Sequence, residues 1–275
     1  MRIYWRINIV TLAAIIIVMI PCAFPQTKAL ITDSRPLAKA AALIELKLGV
    51  PVDYEDAEYV WNGDVVDVTN STARSEYIQA HPGLKLLGPR GGTLEITVAQ
   101  GDEVTAVLQN AVKLHEQKDL PGRFQVRQMG SRFSIVPVQV KTAEGVLNAN
   151  AAVLEAKISV PHRDWTGEEI VQFVCKQVNE VTGKKIGEGM VPSNLLRQTV
   201  VNMGANDESG RDVLLKVFAG IHYKDPGAKS VPQLAWRLLY GPDVKQFALN
   251  IHVVMVEKPA AFGGTEIQSL DRVEK

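Results

Sequence analysis

Four short constellations in this sequence hold the residue types that chemistry needs. His162-Arg163-Asp164-Trp165 places an imidazole, a guanidinium and a carboxylate just ahead of a helix start. Free N–H groups and the helix dipole favour an anion there. The same residues also read as a capped strand-to-helix turn, with Trp165 as its apolar staple. Gly88-Pro89-Arg90-Gly91-Gly92 can form a nest of backbone donors with Arg90 beside it, or simply a turn that glycine permits. Tyr54, Tyr59, Trp61 and Tyr77 give either an aromatic surface for a glycan or protein chain, or packing against a sheet. Asp53, Glu55, Asp56 and Glu58 offer oxygens of the kind calcium takes. The glycine and ligand order of an EF-hand are missing, and the stretch reads as a solvated acidic loop.

Other chemistry finds little support. No Gly-x-Ser-x-Gly, His-Glu-x-x-His or Walker-type loop occurs. His81, His115, His162, His222 and His252 lack metal-ligand spacing, so neither a metal nor a cofactor is expected. An enzyme would need His162 and Asp164 to converge with His222 or His115. Lys plus Arg and Asp plus Glu are both 30 in 275 residues, which leaves no basic excess for nucleic acid. Two cysteines exclude a disulfide-dense scaffold. Cys175 sits in the apolar run 170–175 and reads as a buried, inert thiol.

The first 29 residues read as a secretory signal. Arg2 and Arg6 precede an apolar run over 7–20, then Pro21 and the small residues Ala23 and Ala29 follow. The protein is therefore expected to be exported, to the periplasm or beyond. The alternative is an uncleaved N-terminal membrane anchor, for which the run is short. Membrane contact would then come through this segment alone. A lipid on Cys22 is a poorer reading, because Met19-Ile20-Pro21 lacks the small residues such a site needs. Cleavage removes Arg2, Arg6 and Lys28 and no acid, so the mature chain turns slightly acidic.

The elements that must position these residues recur in order. Leu37, Ala41, Ile44 and Leu48 make one helix face behind Asp33 or Ser34 as cap, and Gly49 ends it. Residues 50–54, 65–69 and 93–98 read as strands. Asp102 is expected to cap a helix carrying Val104, Leu108, Ala111 and Leu114, and a hairpin turns at Met129-Gly130-Ser131. The order then restarts. A strand over 157–160 leads into the capping box Thr166–Glu169, a helix to Gly183 and a strand over 198–203. A helix capped by Asn206 and a hairpin around Gly241-Pro242-Asp243 complete it. The reading is an α+β protein of two βαβ-βαββ modules, with helices packed on small mixed or antiparallel sheets. The expected boundaries are signal 1–29, first module 30–138, linker 139–156, second module 157–256 and flexible tail 257–275. Asn70-Ser71-Thr72 fits a glycosylation triplet.

The first helix also carries a resemblance. Pro36, Leu37, Ala40, Gly49 and Tyr54 stand in the register of the short N-terminal (STN) domain of secretins and TonB-dependent receptors. Residues 200–203, 209–215 and 248–251 look similar to that family's later βαβ portion, though more than 140 residues separate the two matches. The resemblance implies a non-catalytic envelope module that docks a protein partner, with neither pore nor barrel in this chain. Tyr54, Tyr59, Trp61, Arg90, His162, Asp164 and Trp165 are the candidate binding residues.

Overall fold

Alternation starts the fold at Thr27. The computed structural model describes residues 26–69, 83, 85–149, 152–225, 227, 230–260 and 263–272. Most of the expected signal segment, the 70–72 triplet and Tyr77 lie outside the described residues. The first half runs β1 (Thr27–Asp33), α1 (Pro36–Leu48), β2 (Val52–Glu55), β3 (Val65–Asp67), β4 (Leu87–Pro89), β5 (Gly92–Val98), α2 (Val104–Gln117), β6 (Arg123–Met129) and β7 (Arg132–Lys141). β8 (Leu147–Ala149) follows. The second half runs β9 (Lys157–Thr166), α3 (Gly167–Thr182), β10 (Ile186–Glu188), α4 (Ser193–Gln198), β11 (Thr199–Ser209), α5 (Gly210–Gly220), β12 (His222–Tyr223), β13 (Leu234–Gly241) and β14 (Gln246–Val253). β15 (Met255–Pro259) and β16 (Thr265–Ser269) end the described chain.

The protein is α+β, with helices on mixed and antiparallel sheets. In each half the first strand pairs antiparallel with the strand before the second long helix, β1 with β5 and β9 with β11. Seven further strands from both halves meet in one mixed sheet, ordered β10-β14-β13-β2-β7-β6 with β8 beside β7, while β12 pairs with β11, β3 with β4 and β15 with β16. Residues Leu37, Ile44, Leu108 and Ala111 of α1 and α2 pack with Val52, Tyr54, Phe133 and Ile135. Ile170, Val174, Val213 and Val217 of α3 and α5 pack with Trp236, Leu238, Phe247 and Leu249. Glu55 lies opposite Leu238, and Tyr54 opposite Arg237. Side chains alternate along a strand, so the two cores cover opposite faces of the shared sheet. Each fully buried Leu or Ile contributes roughly 1.5–3 kcal/mol.

Several caps differ from expectation for local reasons. Arg35 is the N-cap residue of α1, while the Asp33 carboxylate accepts the Arg35 N–H at 2.7 Å. Glu103, not Asp102, caps α2 by accepting from the Thr105 and Ala106 N–H groups. Asp102 is turned back onto the Ala99 N–H. β11 runs past Asn206, and Ser209 caps α5. The capping box Thr166–Glu169 and the left-handed Gly49 and Gly183 stand as expected.

Pairing also runs across three of the expected boundaries. Thr27, Lys28 and Ala29 pair with Val98, Thr97 and Ile96, so a cut after Ala29 would remove three of the seven residues of β1. Within the expected linker 139–156, β8 pairs with β7, and Val153 and Leu154 are buried. The expected tail is tied down by β15 pairing with β16, with Lys47 on Glu257 at 2.6 Å. Pro259, Gly263 and Gly264 belong to hairpin chemistry; both glycines have positive φ.

His115 lies buried in α2 with its ring 5.2 Å from Phe124. Burial, aided by Arg123, pushes its pKa down to about 4. The unfolded imidazole takes a proton near pH 6.5 and the native one does not, so stability falls as pH drops from about 6.5 to about 4. The expected loss from this group approaches 3 kcal/mol. Urea titrations across that range should show wild type losing more stability on acidification than His115→Phe; parallel pH curves would contradict it.

Candidate functional site

The acidic stretch 53–56 is not a solvated loop. Asp53, Glu55 and Asp56 are buried where the halves meet. Asp53 accepts from Arg132 Nη1 at 2.9 and 3.1 Å and from the Trp236 N–H at 3.0 Å. Glu55 receives the Arg211 guanidinium and the Leu154 N–H. Asp56 accepts from Arg35 Nε at 2.6 Å, Tyr54 OH at 2.7 Å, Tyr59 OH at 3.0 Å and the Tyr240 N–H at 2.9 Å. Tyr54 and Tyr59 are therefore core residues rather than a binding surface, and burial beside Asp56 pushes both phenols well up. Glu58 pairs with Lys184. The sequence held one signal for this: on α5, Arg211 shares the face of Leu214 and Phe218, which marks a buried base needing an acid.

Trp61 and Arg90, far apart in sequence, converge on Asp64. A single turn over Asn62–Asp64 directs the Asp64 carboxylate inward, and its C=O accepts the Arg90 N–H at 2.7 Å. The carboxylate is buried, neither oxygen has a hydrogen-bond partner among the described residues, and it lies 3.8 Å from Arg90 and 3.9 Å from Lys141. Burial pushes this carboxyl up, against the pull of Lys141 and Arg90. Lys141 Nζ lies 4.4 Å from the centre of the Trp61 ring, a cation–π contact, and reaches Asp119 at 3.3 Å. Arg90 donates to the Asp119 C=O at 2.7 Å. The indole lies against Gly145, where a Cβ would stand 3.0 Å from its Nε1. Exposed Val60, Val146 and Leu147 border the cluster. No donor nest forms beside Arg90. Gly91 is pressed on the backbone of Asp33 and Gly92 on Leu120, where a Cβ would come within 2.2 and 2.5 Å.

The His162 cluster is strand rather than turn, because β9 continues to Thr166. Trp165 is buried, donates to the Pro161 C=O at 3.2 Å and carries the Arg163 guanidinium on its ring at 3.5 Å. Asp164 accepts from the Asn202 amide on β11, and His162 is exposed beside Gly204. His222 faces Val200, which faces Thr166. His162 thus lies two strands away from His222 and about 13 Å further along. His115 belongs to the opposite core, in α2. Among the described residues, no group of three His, Cys, Asp or Glu side chains is placed to hold a metal, and no helix is long and apolar enough to cross a membrane. Burial pushes the Cys175 thiol up to about 12.

No protein-family model, curated protein or solved structure matches this chain.

Proposed function

We propose that this chain is an exported, non-enzymatic protein of the cell envelope whose STN-like modules dock a protein partner. The observation that carries the reading is the surface around Trp61. An indole, a guanidinium and an ammonium sit together there, with apolar Val60, Val146 and Leu147 beside them. Interface centres are enriched in Trp and Arg and depleted in Lys, Glu and Asp, so Trp61 and Arg90 carry the argument and Lys141 serves to hold the indole. Asp64 and Asp119 hold Arg90 and Lys141 in place, which lowers the entropy a partner must remove. The basic n-region and the apolar run over 7–20 support export. The equal acid and base counts argue against a nucleic-acid partner.

The test is a photo-crosslinking residue at Val146 in cells that express the full chain. A discrete adduct in the envelope fraction is expected. It should be lost in Trp61→Ala and kept when the crosslinker is paired with a distant exposed change such as Val181→Thr. Absence of any adduct, or an adduct indifferent to Trp61, would sink the reading.

A further inference from the structure

The halves join by a contact whose counterpart is left open at each end of the sheet. In the first half β2 runs parallel to β7, and β7 antiparallel to β6. In the second, β10 runs parallel to β14, and β14 antiparallel to β13. The registers make Ile186 the counterpart of Val52, and Val126 and Gln128 the counterparts of Leu238 and Tyr240. The internal joint sets β13 parallel to β2. The counterparts of those two strands are β6 and β10, the outermost strands of the sheet, and among the described residues neither has a strand on its outer side. We propose that a second copy of this chain lays its β10 parallel to β6 of the first, which repeats the internal joint and extends the sheet head to tail.

The backbone supports this at both edges. The Phe133 N–H bonds the Pro51 C=O, so alternate residues of β7 turn toward β2. Val126 and Gln128, opposite Ile135 and Phe133, therefore turn their own N–H and C=O groups outward. Leu238 does the same inside the molecule, where its C=O accepts the Asp56 N–H at 2.8 Å. On β10, the Asn179 amide closes the N–H and C=O of Ile186 at 2.7 and 2.9 Å. On β2, Glu45 closes the N–H of Val52 and Arg237 its C=O. In both strands the first residue is thus occupied by side chains; in the joint pairing begins two residues later, at Tyr54, and on the open edge the equivalent position is Glu188. Counting from Ile186 as from Val52 also makes Met190 the counterpart of Asp56. Asp56 is buried in the joint, whereas Met190 is 81% exposed, the highest value among the exposed large apolar side chains.

The edges differ in chemistry, and that sets the strength. Gly187 and Gly189 stand where the joint has Asp53 and Glu55, so no carboxylate has to be desolvated and none can pair with a base. The Met190 N–H turns back to Asn250 at 2.8 Å, which leaves Glu188 to carry the backbone pairing. The contact between copies is accordingly weaker than the joint and reversible. Because β6 and β10 are different surfaces, it is heterologous and propagates without closing into a two-fold dimer.

Sedimentation equilibrium of the full chain in density-matched detergent tests the proposal. The average mass of wild type is expected to rise stepwise over a hundredfold increase in concentration. Gln128→Pro on β6 and Glu188→Pro on β10 each remove an outward N–H without touching a ladder bond, and each should be monomeric alone. Mixed, they should form a dimer and nothing larger, since one open edge of each kind remains. Met190→Lys is a second β10 variant, should Glu188→Pro lower the melting temperature. A wild type that stays monomeric, single variants that associate as wild type does, or a mixture that stays monomeric would each overturn it. The outcome does not depend on the Trp61 surface, which neither change touches.

Discussion

Arg211→Met is expected to destabilise the protein by about 3–5 kcal/mol, because it strands the Glu55 carboxylate in the interior. Glu55 is fully buried and the Arg211 side chain is 2% exposed. Arg211 comes from the second half and Glu55 from β2 of the first, so the pair spans the joint. Glu155, which bonds Arg211 Nε at 2.9 Å and Arg127 at 2.6 Å, is itself an acid and cannot neutralise Glu55; its charge opposes that of Glu55. A pair like this contributes little relative to apolar groups of the same volume, yet breaking it is costly. The double change Glu55→Leu with Arg211→Met should therefore recover most of the loss. Urea unfolding would read both, and the single change should lower the melting temperature by roughly 10 °C. A single change costing less than about 1 kcal/mol, or a double change as damaging as the single, would show that the pair is not a desolvated one.

Asp56→Ala is expected to have an effect of similar size, about 3–5 kcal/mol, for a different reason. One carboxylate serves four donors: Arg35, two tyrosine hydroxyls and the Tyr240 N–H. Removing it leaves all of them without their acceptor, and Tyr54 and Tyr59 are buried. Tyr54→Phe and Tyr59→Phe each remove one donor and leave the acceptor partnered, so each should cost about 1 kcal/mol. In a double-mutant cycle, Tyr54→Phe should cost much less once Asp56 is gone. Additive effects would mean that the hydroxyl and the carboxylate act separately. Because each half has its own core, Asp56→Ala should also weaken their cooperation and broaden the urea transition.

Much of the fold was legible because its signals are local. Gly49 and Gly183 stop helices since a left-handed residue suits glycine. Thr166 and Glu169 satisfy each other's backbone across three residues. The hairpins after Phe124 and Trp236 follow from alternation and turn residues. The expected site was less legible. Trp61 and Arg90 do stand together, but through Asp64 and Lys141, which no spacing connects. His162 and His222 had only their residue type to recommend them, and the register of β9, β11 and β12 keeps them apart.

The sequence by itself determined the α+β class, the repeated element order, the principal helix stops and the apolar faces, because each is written within a few turns or one strand. The tertiary structure decided the meaning of the polar residues. Val52-Asp53-Tyr54-Glu55 alternates as any half-exposed strand does, and nothing within it says what lies over its polar face. On that face Asp53 is met by Arg132, Ser134 and the Trp236 N–H, and Glu55 by Arg211 and the Leu154 N–H. A carboxylate is solvated or buried according to whether a base arrives from elsewhere in the chain, and only the folded chain brings Arg211 to Glu55 and Arg132 to Asp53.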